Sequence, residues 1–206
     1  LDCQGRKTGE TIPRDEAHRN GIWHGAFHCL IFTQRGGRVY GLFQKRALSK
    51  KIAPGKFDVS AGGHYAAGED AAAAGPREVR EELGIDINFD DLLPVGRRVF
   101  VYCLDNDIKE YEIQDVFLLP REVRPEELLL QREELDGAME LDVEQGIDLF
   151  SGRTFRIPVT LTKTNGKKVP VLISVDDFVP NLDNYYLKLL LLVQRYMHGE
   201  REILLI

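Results

Sequence analysis

The sequence predicts an α/β fold, and three observations carry that prediction. Aromatic and β-branched runs recur in adjoining pairs, as the strands of hairpins do. Residues 69–84 between them have helical spacing and end on a glycine, and residues 182–198 form a second helical run with an apolar face. No internal repeat, Ser/Gly linker or low-complexity stretch divides the 206 residues. One domain over 1–206 is therefore expected, with an irregular segment at 1–21 and a C-terminal extension at 147–206.

Residues 1–21 are polar and punctuated by Gly5, Gly9, Pro13 and Gly21, so only Glu16 to Arg19 are expected to make a helical turn. The runs WHGAFHCLIF at 23–32 and VYGLFQKR at 39–46 flank Arg35-Gly36-Gly37-Arg38 and predict a β-hairpin. A short strand is expected from Phe57 to Ser60, followed by a tight turn in Ala61-Gly62-Gly63. The helix at 69–84 is stopped by Gly84 as a C-terminal cap. Pro76 lies inside it and either starts a separate helical piece or kinks the helix. Strands are expected at 95–103 and 111–119, antiparallel across Asp105-Asn106-Asp107, and at 128–130, with a short helix at 143–150. IPVTLTK and KVPVLISV flank Asn165-Gly166, which predicts a two-residue type I′ turn, and Pro158 and Pro170 mark both strands as edge strands. In the last helix Tyr186, Leu187, Leu190, Leu191 and Val193 share a face. That helix and the hairpin before it either complete one core, cover a pocket or form a homodimer interface.

Composition narrows the function classes. A chain that is 43% hydrophobic buries a core, which excludes disorder along its length. Twenty-seven Lys and Arg against 33 Asp and Glu give −6, the opposite of the basic footprint of a duplex-binding protein. The apolar run from Leu187 to Val193 is interrupted by Lys188 and falls far short of the roughly 20 residues a membrane span needs. Cys3, Cys29 and Cys103 show no C-x-x-C spacing, so neither a disulfide framework nor a zinc knuckle is indicated, and a cytoplasmic setting is expected. Cys29 and Cys103 read as core residues. Because residue 1 is Leu, the chain is expected to begin inside a longer reading frame.

The segment that carries chemistry is GHYAAGEDAAAAGPREVREELGI at 63–85. On a helix Glu78, Glu81 and Glu82 lie at i, i+3 and i+4, so three carboxylates share one patch while Val79 and Leu83 offer an apolar anchor elsewhere. Such a patch is either a solvated, salt-bridged helix face or a set of hard oxygen ligands suited to Mg²⁺ or Mn²⁺. Arg77 can reach Glu81 four residues on.

Gly63, Glu69, Arg77-Glu78-Val79, Glu81-Glu82 and Gly84-Ile85 match every fixed position of the Nudix signature, and the chain resembles that family. The resemblance implies an α/β/α sandwich with a mixed central sheet, and a signature forming loop, helix and loop. It implies that Glu78, Glu81 and Glu82 bind the divalent metals, that Arg77 and Glu69 support them, that Gly63 turns the backbone beside the site and that Gly84 ends the helix.

One branch is resembled more closely, the isopentenyl diphosphate isomerases and related hydrolases. HGAF at 24–27, QKRALSKK at 44–51, Pro54-Gly55, His64 and EYEIQDVF at 110–117 carry that likeness. In the isomerases a cysteine precedes the Gly-His dipeptide; here Gly62 stands there, and glycine has no proton to transfer. The expectation is therefore a metal-dependent hydrolase of a diphosphate bond, in a nucleoside diphosphate linked to another group or a related small diphosphate. The alternatives are a nucleotide-sensing module without turnover and, behind it, an isomerase.

Glu110 and Glu112 point the same way on a strand. Glu112 is either a further ligand, a general base beside Glu81 and Glu82, or an exposed strand glutamate. His24 and His64 match metal-binding positions of the isomerases or simply hydrogen-bond, and His28 reads as structural. Lys45, Arg46, Lys50, Lys51 and Lys56 make a basic cluster that either grips diphosphate, with Arg46 and Lys51 as the candidates, or is a solvated loop.

Overall fold

The structure, a computed structural model, describes residues 1–103, 108–202 and 205–206; the turn expected at Asp105-Asn106-Asp107 lies outside them. In chain order the elements are α1 (Arg14–Asn20), β1 (His24–Arg35), β2 (Arg38–Arg46), β3 (Phe57–Asp58), β4 (Ala61–His64), α2 (Ala71–Leu83), β5 (Leu93–Cys103), β6 (Lys109–Pro120), β7 (Leu135–Asp142), α3 (Val143–Phe150), β8 (Ile157–Lys163), β9 (Lys168–Ile173) and α4 (Tyr185–Met197).

All nine strands join one mixed sheet in the order β5-β6-β1-β2-β7-β8-β9, with β3 added to β2 and β4 to β1. β1 is central. It runs parallel to β6, placing His24 opposite Glu112, and antiparallel to β4, placing Ala26 opposite His64. Its two-residue period divides the core: Phe27, Cys29 and Ile31 pack with Val79 and Leu83 of α2, whereas Leu30 and Phe32 pack with Leu189, Leu190 and Val193 of α4. The result is the α/β/α sandwich, with α2 on one face of the sheet and α3 and α4 on the other. No helix among the described residues is long and apolar enough to cross a membrane.

Several local expectations are corrected. The N-terminal segment contains a full helix, α1, entered at Pro13 and ended by Gly21 in the left-handed conformation. No strand forms at 128–130; Leu129 N–H instead donates to the Leu83 carbonyl and seals the end of α2. A strand that sequence reasoning missed is β7, where Gly137-Ala138 and two aspartates dilute the β-forming pattern. α2 runs unbroken through Pro76 from an Asp70 cap, so it is neither divided nor preceded by a separate turn.

Ala61-Gly62-Gly63 is strand rather than tight turn. In the last hairpin only Gly166 of the Asn165-Gly166 pair has positive φ, and Gly166 N–H donates to Lys163, so the connection is not type I′, which needs positive φ at both central residues. Of its two strands only β9 is an edge. Pro158 is tolerated in β8 because the ladder to β7 covers only Leu161 to Lys163.

Candidate functional site

A pocket of about 530 Å³ opens where α1, α2, the start of β1, the ends of β2 and β4, and strands β5 and β6 converge. Its α2 side is built locally. The Asp70 side chain accepts from Ala73 N–H at the start of the helix, and Gly84, at φ 70°, closes it. Val79 and Leu83 anchor the helix in the core, which turns Glu78 and Glu82 toward β4.

Glu82 Oε2 accepts from Gly62 N–H at 3.0 Å and from the Gln44 amide at 3.2 Å. Burial pushes its pKa up to about 8, although the Gly62 N–H opposes the rise. Burial raises Glu78 as well, against the pull of Arg77. Glu81, 53% exposed, is the outermost of the three. Arg77 ties the group together: it donates twice to Glu69 at 2.7 Å, to Glu78 at 2.8 Å and to Glu81 at 3.0 Å. Its hydrogen bonds hold the Glu69 carboxyl below the usual range. Gly63 is required for a reason other than turning: a Cβ there would meet the Glu78 carboxyl at 2.3 Å. The glycine admits the carboxylate rather than bending the chain.

The β6 side is assembled from four elements. Glu110 and Glu112 project from β6 beside His24 of β1, His64 of β4 and His18 of α1. Glu110 Oε1 lies 3.0 Å from His18 Nε2, 3.2 Å from His24 Nε2 and 3.3 Å from His64 Nε2. These four side chains bring ligand atoms within 4.8 Å of one another, a group that could hold a metal ion. His64 Nε2 makes a 2.6 Å hydrogen bond to Glu112 Oε1.

Burial opposes charge on His64, but the hydrogen bonds it donates to Glu110 and Glu112 outweigh it and carry its pKa up to about 9. Glu112 answers in the opposite sense: burial pushes it up, yet the His64 hydrogen bond and charge hold it well below the usual carboxylate range. His18, for which burial dominates, is lowered. His28 hydrogen-bonds Tyr185 at 3.1 Å, as a structural histidine does.

The basic loop does not converge on the pocket as expected. Arg46 lines it, but its donors go to the Ile52 carbonyl and to Asp58 at 3.4 Å. Lys51 is corrected more firmly: it pairs with exposed Asp15 outside the pocket. Lys50 lines the pocket in a pair with Glu134, while Lys45 and Lys56 bond the carbonyls of Gly55 and Asp176. Sequence reasoning missed His18, Gln44, Arg98 and Gln114. No spacing relates them to the signature, and each arrives through sheet pairing or the docking of α1.

The family model for the NUDIX domain matches residues 23–160. An uncharacterised Nudix hydrolase of Clostridium acetobutylicum is 30% identical over 186 residues, 88% of this chain and 87% of that protein. An isopentenyl-diphosphate Delta-isomerase of Photobacterium profundum is 32% identical over 118 residues, 57% of this chain and 64% of that protein. A MutT/nudix family protein from Enterococcus faecalis superposes on 95% of this chain and 69% of its own at a TM-score of 0.55 and 11% identity, a likeness of fold.

Proposed function

The chain belongs to the Nudix hydrolase family, and from that premise we propose that it is a divalent-metal-dependent hydrolase of a phosphoanhydride bond. Its substrate class is a nucleoside diphosphate linked to another group, or a related small diphosphate. The single observation that carries this reading is the pair Glu78 and Glu82, buried one turn apart against the backbone of Gly62 and Gly63. Glu82, with its pKa near 8, is largely protonated at neutral pH unless a cation stands beside it. The hard oxygens of Glu78, Glu81 and Glu82 therefore fit Mg²⁺ or Mn²⁺. His18, His24, His64 and Glu110 fit a second ion of more nitrogen-tolerant kind, with His64 giving up its proton to bind it.

A bound divalent cation supplies charge neutralisation for the diphosphate and a more acidic water. The chain's own residues do the rest. The Gly62 N–H and the Gln44 amide orient Glu82 through Oε2, leaving Oε1 without a hydrogen bond among the described residues and available to take a proton. Arg77, braced by Glu69, keeps Glu78 and Glu81 in one register. Glu112 anchors His64 rather than acting as the base, because both of its oxygens accept hydrogen bonds and its basicity is low. Arg46 lends positive charge to the wall that receives the diphosphate. Residues 1–206 act together in this reading, with α1 and the segment before α4 both lining the pocket.

The test is product release from a panel of nucleotide sugars, dinucleotides, nucleoside triphosphates, coenzyme A and prenyl diphosphates, with Mg²⁺ or Mn²⁺ and with chelator. Metal-dependent cleavage of one member, reduced by at least about 100-fold in Glu82→Gln, is the expected result. Binding of a nucleotide by calorimetry with no cleavage of any member would replace this reading with a sensing module.

A further inference from the structure

A chain of hydrogen-bonded polar groups runs from the segment preceding α4 into the β6 side of the pocket. Asp183 accepts from Arg98 through both carboxylate oxygens, Nε to Oδ2 and Nη2 to Oδ1, each at 2.9 Å. The third arm, Arg98 Nη1, donates to Gln114 Oε1 at 2.9 Å. The Gln114 amide nitrogen then donates to Glu112 Oε2, and His64 donates to Glu112 Oε1. Arg98, Gln114 and Glu112 are all buried, and the Arg98 guanidinium lies 3.9 Å from the centre of the Tyr185 ring, which fixes its plane.

The direction of every bond follows from the first. Arginine carries donors alone, so Gln114 must present its carbonyl oxygen to Arg98 and therefore its NH₂ to Glu112. Without Arg98 only the Glu112 carboxylate selects the amide's orientation, and Gln114 loses the bond that fixes where its amide group stands. We propose that Arg98 and Gln114 are positioning residues for Glu112, with Asp183 as the outer anchor, so that the C-terminal part of the chain sets the geometry of a site whose signature lies far earlier, at 63–85. The proposal rests on the reading that Glu112 belongs to the active site. It concerns orientation, not contact with substrate.

Three variants test it, each checked for folding by circular dichroism and thermal melting: Gln114→Met, Arg98→Lys and Asp183→Asn. Asp183 is partly exposed, so its variant keeps the test open if a buried replacement fails to fold. Turnover is followed with Mn²⁺ on whichever panel diphosphate the wild type cleaves. In parallel, the His64 Nε2–H resonance is followed by ¹⁵N-edited NMR in chelator-treated protein.

Gln114→Met is expected to lower kcat roughly 10- to 100-fold at little-changed KM. Combining it with Arg98→Lys should add nothing further, as for residues acting in series. The His64 resonance should shift or broaden in all three variants, least in Asp183→Asn. A raised KM with unchanged kcat would mean substrate contact and overturn the proposal. So would an unmoved His64 resonance and unaltered turnover in variants for which Glu112→Gln abolishes activity. If the wild type cleaves nothing but the resonance moves, the positioning chain stands and the hydrolase reading falls; if neither occurs, both fall.

Discussion

On the α2 side of the pocket Glu78 and Glu82 are buried one helical turn apart, with Arg77 holding Glu78 and only weak donors reaching Glu82. On the β6 side Glu110 and Glu112 are buried two residues apart on a strand and meet three imidazoles and an amide. Burial is comparable, yet Glu82 rises to about 8 while Glu112 falls well below its ordinary value. The difference teaches that burial alone leaves a carboxyl short of compensation, whereas burial with a charged donor holds it ionised. On the β6 side the compensating positive charge is on His64; on the α2 side Glu82 meets only neutral donors.

The largest effect that tests this contrast is on stability. In metal-free protein at pH 7, Glu112→Gln removes one of the two carboxylates that face the charged His64 ring, leaving Glu110, and should cost about 2 kcal/mol in a urea melt. Glu82→Gln replaces a mostly neutral acid by its amide, which can keep the acceptor oxygen, and should change stability by no more than about 1 kcal/mol. Equal costs for the two would break the comparison.

Next in size is Gly63→Ala, whose new methyl group displaces the Glu78 carboxylate. Because the clash is with the end of a side chain, melting should stay within a few degrees while kcat drops roughly 100-fold. Unchanged turnover would show that Glu78 need not occupy its observed position.

The smallest effect is Glu69→Gln. The Arg77 hydrogen bond lowers the folded pKa of Glu69 from 4.5, so its contribution is present above that value and disappears as pH falls through the lower, folded one. The variant should cost about 1 kcal/mol at pH 7, and the cost should shrink as pH falls below 4.5 and through the lower folded value, read as converging melting temperatures. A pH-independent cost would assign the loss to packing instead.

The two sides also differ in how much of them sequence alone reveals. Glu78, Glu81 and Glu82 lie within one turn, so helical periodicity places them together, and Asp70 and Gly84 mark where the helix starts and stops. The β6 side is different: His18, His24, His64 and Glu110 come from four elements brought together by one parallel and one antiparallel pairing and by the docking of α1. Resemblance to the isomerases pointed at His24 and His64; nothing pointed at His18, which lies in a segment whose glycines and single proline disguise a helix. β7 was hidden for a related reason, since Gly137 is suited to the close approach of the β8 backbone rather than to strand propensity.

By itself the sequence determined the α/β class, the strands that pair as local hairpins, the α2 helix and the cluster of carboxylates on it. These follow from short-range periodicity, caps and turn residues, which act within a few positions of one another. Only the tertiary structure decided that Lys51 stands outside the pocket, that Gly63 is needed for close approach rather than for a turn, and that Asp183 reaches Glu112 through Arg98 and Gln114. Those outcomes depend on strand order and register, which join residues far apart in the chain, and on burial, which sets the charge of a carboxyl after its neighbours have been chosen.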